Sequence, residues 1–137
     1  MIFAALLAVW LLFPAGELRA QSAFYQGKTI TFIVGSGAGT AYDMYGRLLA
    51  NHVSKYIPGN PGVVVQNMPA AGGIVAANYT YGVPKPDGLT GASINPAHYF
   101  NQIQGNKEIK FDWPKFTWLA SSDKSEHMLY MRSDAPF

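Results

Sequence analysis

Between Thr29 and Tyr56 the hydrophobic period of the chain changes twice. Thr29-Ile-Thr-Phe-Ile-Val34 is a β-branched and aromatic run of strand length. After the glycine-rich stretch Gly35-Ser-Gly-Ala-Gly-Thr40, Tyr45, Leu48, Leu49, Val53 and Tyr56 recur at the spacing of one helix face. Thr40 is placed to cap that helix, with Asp43 completing a variant of the capping box. Ile57-Pro-Gly-Asn-Pro-Gly62 stops it. Val63–Gln66 predicts a second strand, Ile74–Tyr81 a short helix ended by Gly82 in a left-handed cap, and Leu89–Ile94 a third strand. Asn95-Pro96 predicts a capped helix start that takes in His98 to Ile103. Phe116–Ala120 and His127–Met131 read as two further strands. Strands alternating with helices imply an α/β fold, a mainly parallel sheet with helices on both faces.

In such a sheet, ligands sit beyond the carboxyl ends of the strands. Three loops are expected there: Gly35 to Ala41, Pro69 to Gly73, and Asn95 to Ala97. A strand feeding glycines and then a helix start offers free N–H groups and a positive dipole end, which favours an anion. A dinucleotide fingerprint fails in both registers, because Thr40 or Tyr42 stands where the last glycine belongs. No lysine follows the glycines as a nucleoside-triphosphate loop requires. A carboxylate is therefore favoured over a phosphate ester. The candidate contacts are Ser36, Gly37, Ala38, Gly39, Thr40 and Asp43 on the first loop, Ala70, Ala71, Gly72 and Gly73 on the second, and Asn95 and His98 on the third. Ser36 and Thr40 would donate hydroxyl hydrogen bonds to the anion.

Composition narrows the classes. Half-apolar at 49%, with 13% charged residues, the 137-residue chain can build a core. A net charge of +2, with its ten Lys and Arg scattered, gives no footprint for nucleic acid. The absence of cysteine excludes disulfides and thiolate metal sites. Ile2 to Phe13 is an unbroken apolar run, shorter than the ~20 residues of a spanning helix. Small residues follow at Ala20, Ser22 and Ala23, as behind a signal-peptide core, although no Lys or Arg precedes the run. Residues 1–23 are expected to be an export signal, leaving residues 24–137 as one periplasmic domain with no direct membrane insertion.

The ordered motifs resemble a known family. Phe24-Tyr25-x-Gly-Lys-Thr-Ile-Thr, Gly35-Ser-Gly-x-Gly, Tyr42-Asp43-x-Tyr-x-Arg47-Leu-Leu-Ala, Ile57-Pro-Gly-Asn-Pro61, Val65-Gln-Asn-Met-Pro-x-Ala-Gly-Gly73 and Pro86-Asp-Gly88 are similar to those of the substrate-binding proteins of tripartite tricarboxylate transporters, the Bug family. The resemblance runs over nearly all of residues 24–137. It implies a periplasmic receptor of the binding-protein type II kind, whose two α/β lobes close over a carboxylate. The receptor would deliver that ligand to membrane permease subunits. The loops at Gly35 to Asp43 and Pro69 to Gly73 would hold it, largely through backbone groups and water. Many relatives have glycine or Pro-Thr where this chain has Thr40-Ala41. Because family members carry a second lobe, this chain is expected to be the first lobe alone, with apolar surface bare where the other would dock.

No other constellation carries chemistry. His52, His98 and His127 share no metal-ligand spacing, so no metal and no cofactor is expected. Ser36 lacks the Gly-x-Ser-x-Gly elbow of a nucleophile. Asp43 and Arg47, four apart, predict a surface ion pair, with Arg47 on the outer helix face. Asn78-Tyr-Thr80 matches a glycosylation sequon by chance within a helix, and Tyr79, Tyr81, Trp113 and Trp118 are expected as core or lobe-contact aromatics. The alternatives to a receptor are an α/β enzyme acting on an anionic substrate and a non-functional truncated remnant.

Overall fold

The computed structural model describes residues 24–121. The proposed signal segment and the predicted strand His127–Met131 lie outside them. Three parallel strands form one sheet in the order β2-β1-β3: β1 is Thr29–Val34, β2 Gly62–Asn67 and β3 Thr90–Ser93. Between them lie α1 (Ala41–Val53) and α2 (Ile74–Gly82), and after β3 comes the short α3 (His98–Ile103). The α/β class read from the alternation is the fold observed.

β1 is the middle strand, and its Ile33 and Val34 are fully buried. Each such side chain contributes roughly 1.5–3 kcal/mol over an exposed one. Register places Thr29 opposite Gly62 and Val34 opposite Asn67, with Val34 also opposite Ser93. The carboxyl ends of all three strands thus finish in one row: Asn67, Val34, Ser93.

The apolar stripe of α1 does not face the core. Tyr45, Leu48 and Leu49 are about half exposed, at 56%, 57% and 46%, while Asp43 and Gly46 are buried. Closeness decides this. A Cβ on Gly46 would lie 2.8 Å from Val34 Cγ2 and 3.5 Å from the Phe32 ring. The helix backbone therefore rests directly on β1 at a distance no larger residue permits, and its leucines turn outward. The other edge of the Phe32 ring lies against Gly91 of β3, where a Cβ would stand 3.3 Å away. Phe32 fills a slot between two glycines.

Further departures are local. Gly82 is the last residue of α2 and not a left-handed cap; Val83 N–H closes the helix on Tyr79 C=O. Asn95 caps a turn and not the helix itself: its Oδ1 accepts from Ala97 N at 2.9 Å, and α3 begins at His98. Phe116–Ala120 is not a strand; a 3-10 turn at Trp113–Lys115 precedes it, and Phe116 and Trp118 join Tyr81, Phe111 and Trp113 in a cluster of tilted and edge-on rings. Contacts between aromatic rings replace ladder hydrogen bonds there. Asn78 clamps this region to α2, donating to Glu108 C=O and accepting from Lys110 N–H, each at 2.8 Å.

Candidate functional site

Beyond the row Asn67, Val34, Ser93 the chain leaves each strand into a loop, and the loops converge. Gly35 N–H donates to Ser93 C=O and Met68 N–H to Val34 C=O, so β1 stays tied to both neighbours as it ends. A cavity of about 80 Å³ opens above, lined by Gly35, Ser36, Tyr42, Gly72, Ser93 and Asn95. Its wall has no charged side chain. The volume holds a carboxylate-sized group with a water or two.

Of the candidate residues, Ser36, Gly72 and Asn95 line this cavity. Gly37, Ala38, Gly39 and Thr40 form the adjoining loop, and a Cβ on Gly37 would meet nothing within 4 Å. Ala70 and Ala71 are exposed next to Gly72, whereas Gly73 is buried. Asp43 lies beneath the first loop and His98 is buried close to the second.

The first loop is closed upon itself. Thr40 Oγ1 accepts from Asp43 N–H at 3.4 Å, and Asp43 Oδ2 accepts from Gly39 N–H at 2.8 Å, a reciprocal cap as the spacing predicts. The surface pair expected of Asp43 and Arg47 is corrected: Asp43 is only 2% exposed. Arg47 Nε donates to its Oδ2 at 3.0 Å, and Asn67 Nδ2 donates to its Oδ1 at 2.8 Å. Arg47 Nη2 also donates to Asn67 Oδ1, and Asn67 Nδ2 donates in addition to Ser36 C=O. Arg47 is thus a brace between α1 and β2, not a residue of the outer face. Arg47 first, then the Gly39 N–H and Asn67, hold the Asp43 carboxyl down at about 2.

The hydroxyls are already engaged. Thr40 Oγ1 donates its one proton to Gly37 C=O at 2.8 Å. Ser36 Oγ lies 2.7 Å from Thr40 Oγ1, so Ser36 is the donor of that pair. Neither hydroxyl offers a free proton to a ligand until this pair opens.

The second loop is of the opposite kind. Ala71, Gly72 and Gly73 have φ of 51°, 62° and 96°, three successive left-handed residues. Ala71 carries the cost of that region, about 1–2 kcal/mol. The turn is forced inward by contact: a Cβ on Gly73 would lie 2.5 Å from Gly35 C=O. Gly73 caps α2 without any side-chain hydrogen bond, so the first N–H groups of α2 have no resident carboxylate. Successive N–H groups in such turns form concavities suited to anions.

Sequence reasoning did not single out Tyr42, Ser93 or Asn67. Tyr42 and Ser93 become site residues only through register and helix rotation, which no local pattern encodes. Asn67 carried a signal, a polar residue ending a buried valine run, but was read only as part of a loop. Among the described residues no three His, Cys, Asp or Glu form a metal-holding group, and no helix is long and apolar enough to cross a membrane. No family model, curated protein or solved structure matches this chain.

Proposed function

We propose that the chain is a ligand-binding lobe of an exported solute receptor, capturing a small carboxylate for the permease subunits of a tripartite tricarboxylate-type transporter. One observation carries the reading: two glycine loops meet at the carboxyl edge of a parallel sheet around an uncharged cavity, and one of them heads a helix with no side-chain cap and no acidic residue in its first turn. Backbone donors lose no side-chain entropy on binding, and the dipole of α2 adds up to about 1 kcal/mol. Ser36 Oγ bonds Thr40 and not a base, so the site holds its ligand without attacking it. Residues 1–23 act as the export signal, and the motifs shared with the Bug family support that address.

The test is titration of the isotope-labelled chain with acetate, succinate and citrate, and with phosphate and AMP as contrasts. Saturable shifts of the Gly35, Ser36 and Gly72 amides by carboxylates are expected. Tighter binding of AMP than of every carboxylate would sink the reading. Amino-terminal sequencing of secreted protein should find a start near Gln21 or Phe24; an intact Met1 on cytosolic product would refute export.

A further inference from the structure

His98 is, with Asp43, one of two buried polar residues near the cavity. His98 is 4% exposed, and its Nε2 has no hydrogen-bond partner of good geometry among the described residues. Asn101 Nδ2 approaches His98 Nδ1 at 3.2 Å, and an amide nitrogen can only donate. With the Asn101 amide in this orientation, Nδ1 is the acceptor and Nε2 carries the proton of the neutral ring. A buried donor whose nearest acceptor, the Gly72 backbone, is not in good hydrogen-bond geometry calls for a reason.

Its surroundings supply one. A Cβ on Gly73 would lie 3.2 Å from His98 Nε2 and 2.5 Å from Gly35 C=O, so the turn at Gly73 lies close to both the His98 ring and Gly35. Gly72, the next residue of the turn, lines the cavity. Burial holds the ring below the usual histidine value, an effect that hydrogen bonding to the Gly72 backbone partly offsets. The Ala70–Gly73 turn, the Gly35–Thr40 loop, β1, β2 and β3 carry no charged or titratable side chain. α1 brings Tyr42 to the cavity wall, α2 brings Tyr79 and Tyr81, and α3 brings Tyr99. The charged pair that shares the loops, Asp43 with Arg47, is already matched within itself. A charge on His98 would find its counter-ion in the cavity.

We propose that His98 is the positioning residue of this cavity: its ring holds the left-handed Ala71–Gly73 turn against Gly35 and takes up a proton when an anion fills the space beside Gly72. This rests on the anion-binding reading above. The added proton goes to Nδ1, and the Asn101 amide turns so that Oδ1 accepts where Nδ2 donated. Nε2–H stays directed at the turn. The ring touches no ligand and acts through the backbone of Gly72 and Gly73. Anion affinity consequently rises as pH falls, since the bound state holds one more proton.

Formate is a suitable probe, because it stays ionised over the range from about pH 5 to 8 where histidine titrates. Histidine-labelled full chain, followed by nitrogen NMR, should show His98 protonated on Nε2 without formate. With formate its midpoint should move up, and binding should be several-fold tighter at the acid end than at the alkaline end. His98→Gln keeps a donor but cannot titrate: it should bind formate with the slope gone. His98→Leu should bind weakly at every pH, with folding of both variants checked by their amide spectra. A flat profile in the parent chain, or an unchanged slope in His98→Gln, overturns the proposal while leaving carboxylate binding intact. Failure of the parent chain to bind formate, acetate, succinate or citrate at any pH overturns both.

Discussion

Two helices begin at the same edge of the sheet, and their N-termini are finished in opposite ways. α1 supplies its own anion: Asp43 sits in the first turn, accepts from Gly39 N–H, and is matched by Arg47 and Asn67. α2 starts from a left-handed glycine with no side-chain cap. A positive helix end attracts one negative group, so an end already holding a carboxylate has little left for a ligand. The glycine-rich stretch after β1, the more conspicuous in sequence, is the one spent on internal structure. The plainer Ala70–Gly73 turn brings no side chain to its helix end, where the Ile74 N–H bonds only backbone, the Ala71 C=O. Glycine content alone does not distinguish the two helix ends; the presence or absence of a side-chain carboxylate does.

The largest way to break that difference is Gly73→Ala. The substitution places a methyl group 2.5 Å from Gly35 C=O at a φ of 96°. Left-handed strain of about 1–2 kcal/mol adds to overpacking of about 1–3 kcal/mol. A drop of that combined size in urea-unfolding stability is expected, together with loss of carboxylate binding. Unchanged stability would show that the turn does not press on Gly35.

Gly46→Ala comes next, and it tests how α1 is held so near β1. The new methyl would meet the buried Val34 Cγ2 at 2.8 Å. Overpacking of about 1–3 kcal/mol is expected, offset by the roughly 1 kcal/mol that alanine gains over glycine in a helix. The net effect should be destabilising by thermal unfolding. A stabilised variant would mean that the helix stands off the sheet.

This site also marks where sequence reasoning stops. β1, the glycine stretch and the Thr40 cap were legible because each depends on neighbours a few residues away. The rotation of α1 was not. Its apolar spacing at Tyr45, Leu48 and Leu49 promised a core face, yet contact with β1 is decided by the one residue small enough for close approach, Gly46. Arg47 was misplaced for the same reason: once α1 turns by that angle, the i, i+4 pair with Asp43 points at Asn67 on β2. The loops around the cavity were legible from strand ends and glycines. The lining by Tyr42 and Ser93 was not, because it needs the register of three strands.

Asp43→Asn sharpens the contrast by opening the closed terminus. The folded carboxyl titrates at about 2, below its ordinary 3.8. A lowered folded value means that the unfolded chain binds the proton first. The contribution of Asp43 is therefore complete above about pH 4 and is lost as pH falls towards about 2. Acid unfolding followed by circular dichroism should show that limb in the parent chain and a shallower one in Asp43→Asn. The variant should also gain a second, weak formate response at the Gly39 amide, making α1 resemble α2. No response at Gly39 would mean that the loop geometry, and not the carboxylate, keeps anions away.

The smallest expected effect is Ser36→Ala, although Ser36 is one of three hydroxyl residues on the cavity wall, with Tyr42 and Ser93. Its proton is given to Thr40 Oγ1, whose own proton goes to Gly37 C=O. To serve a carboxylate, Ser36 must first leave Thr40. A neutral hydrogen bond contributes about 0.5–1.5 kcal/mol and one to a charged acceptor about 1.5–3 kcal/mol, so the exchange gains little after the first bond is broken. If backbone N–H groups of the second loop carry recognition, Ser36→Ala should weaken acetate binding only a few-fold, while Gly72→Ala, strained at φ of 62°, weakens it much more. The two variants should be titrated side by side with the same amides observed. A reversed order, with Ser36→Ala the more damaging, would move recognition to the first loop and undo the contrast between the two helix ends.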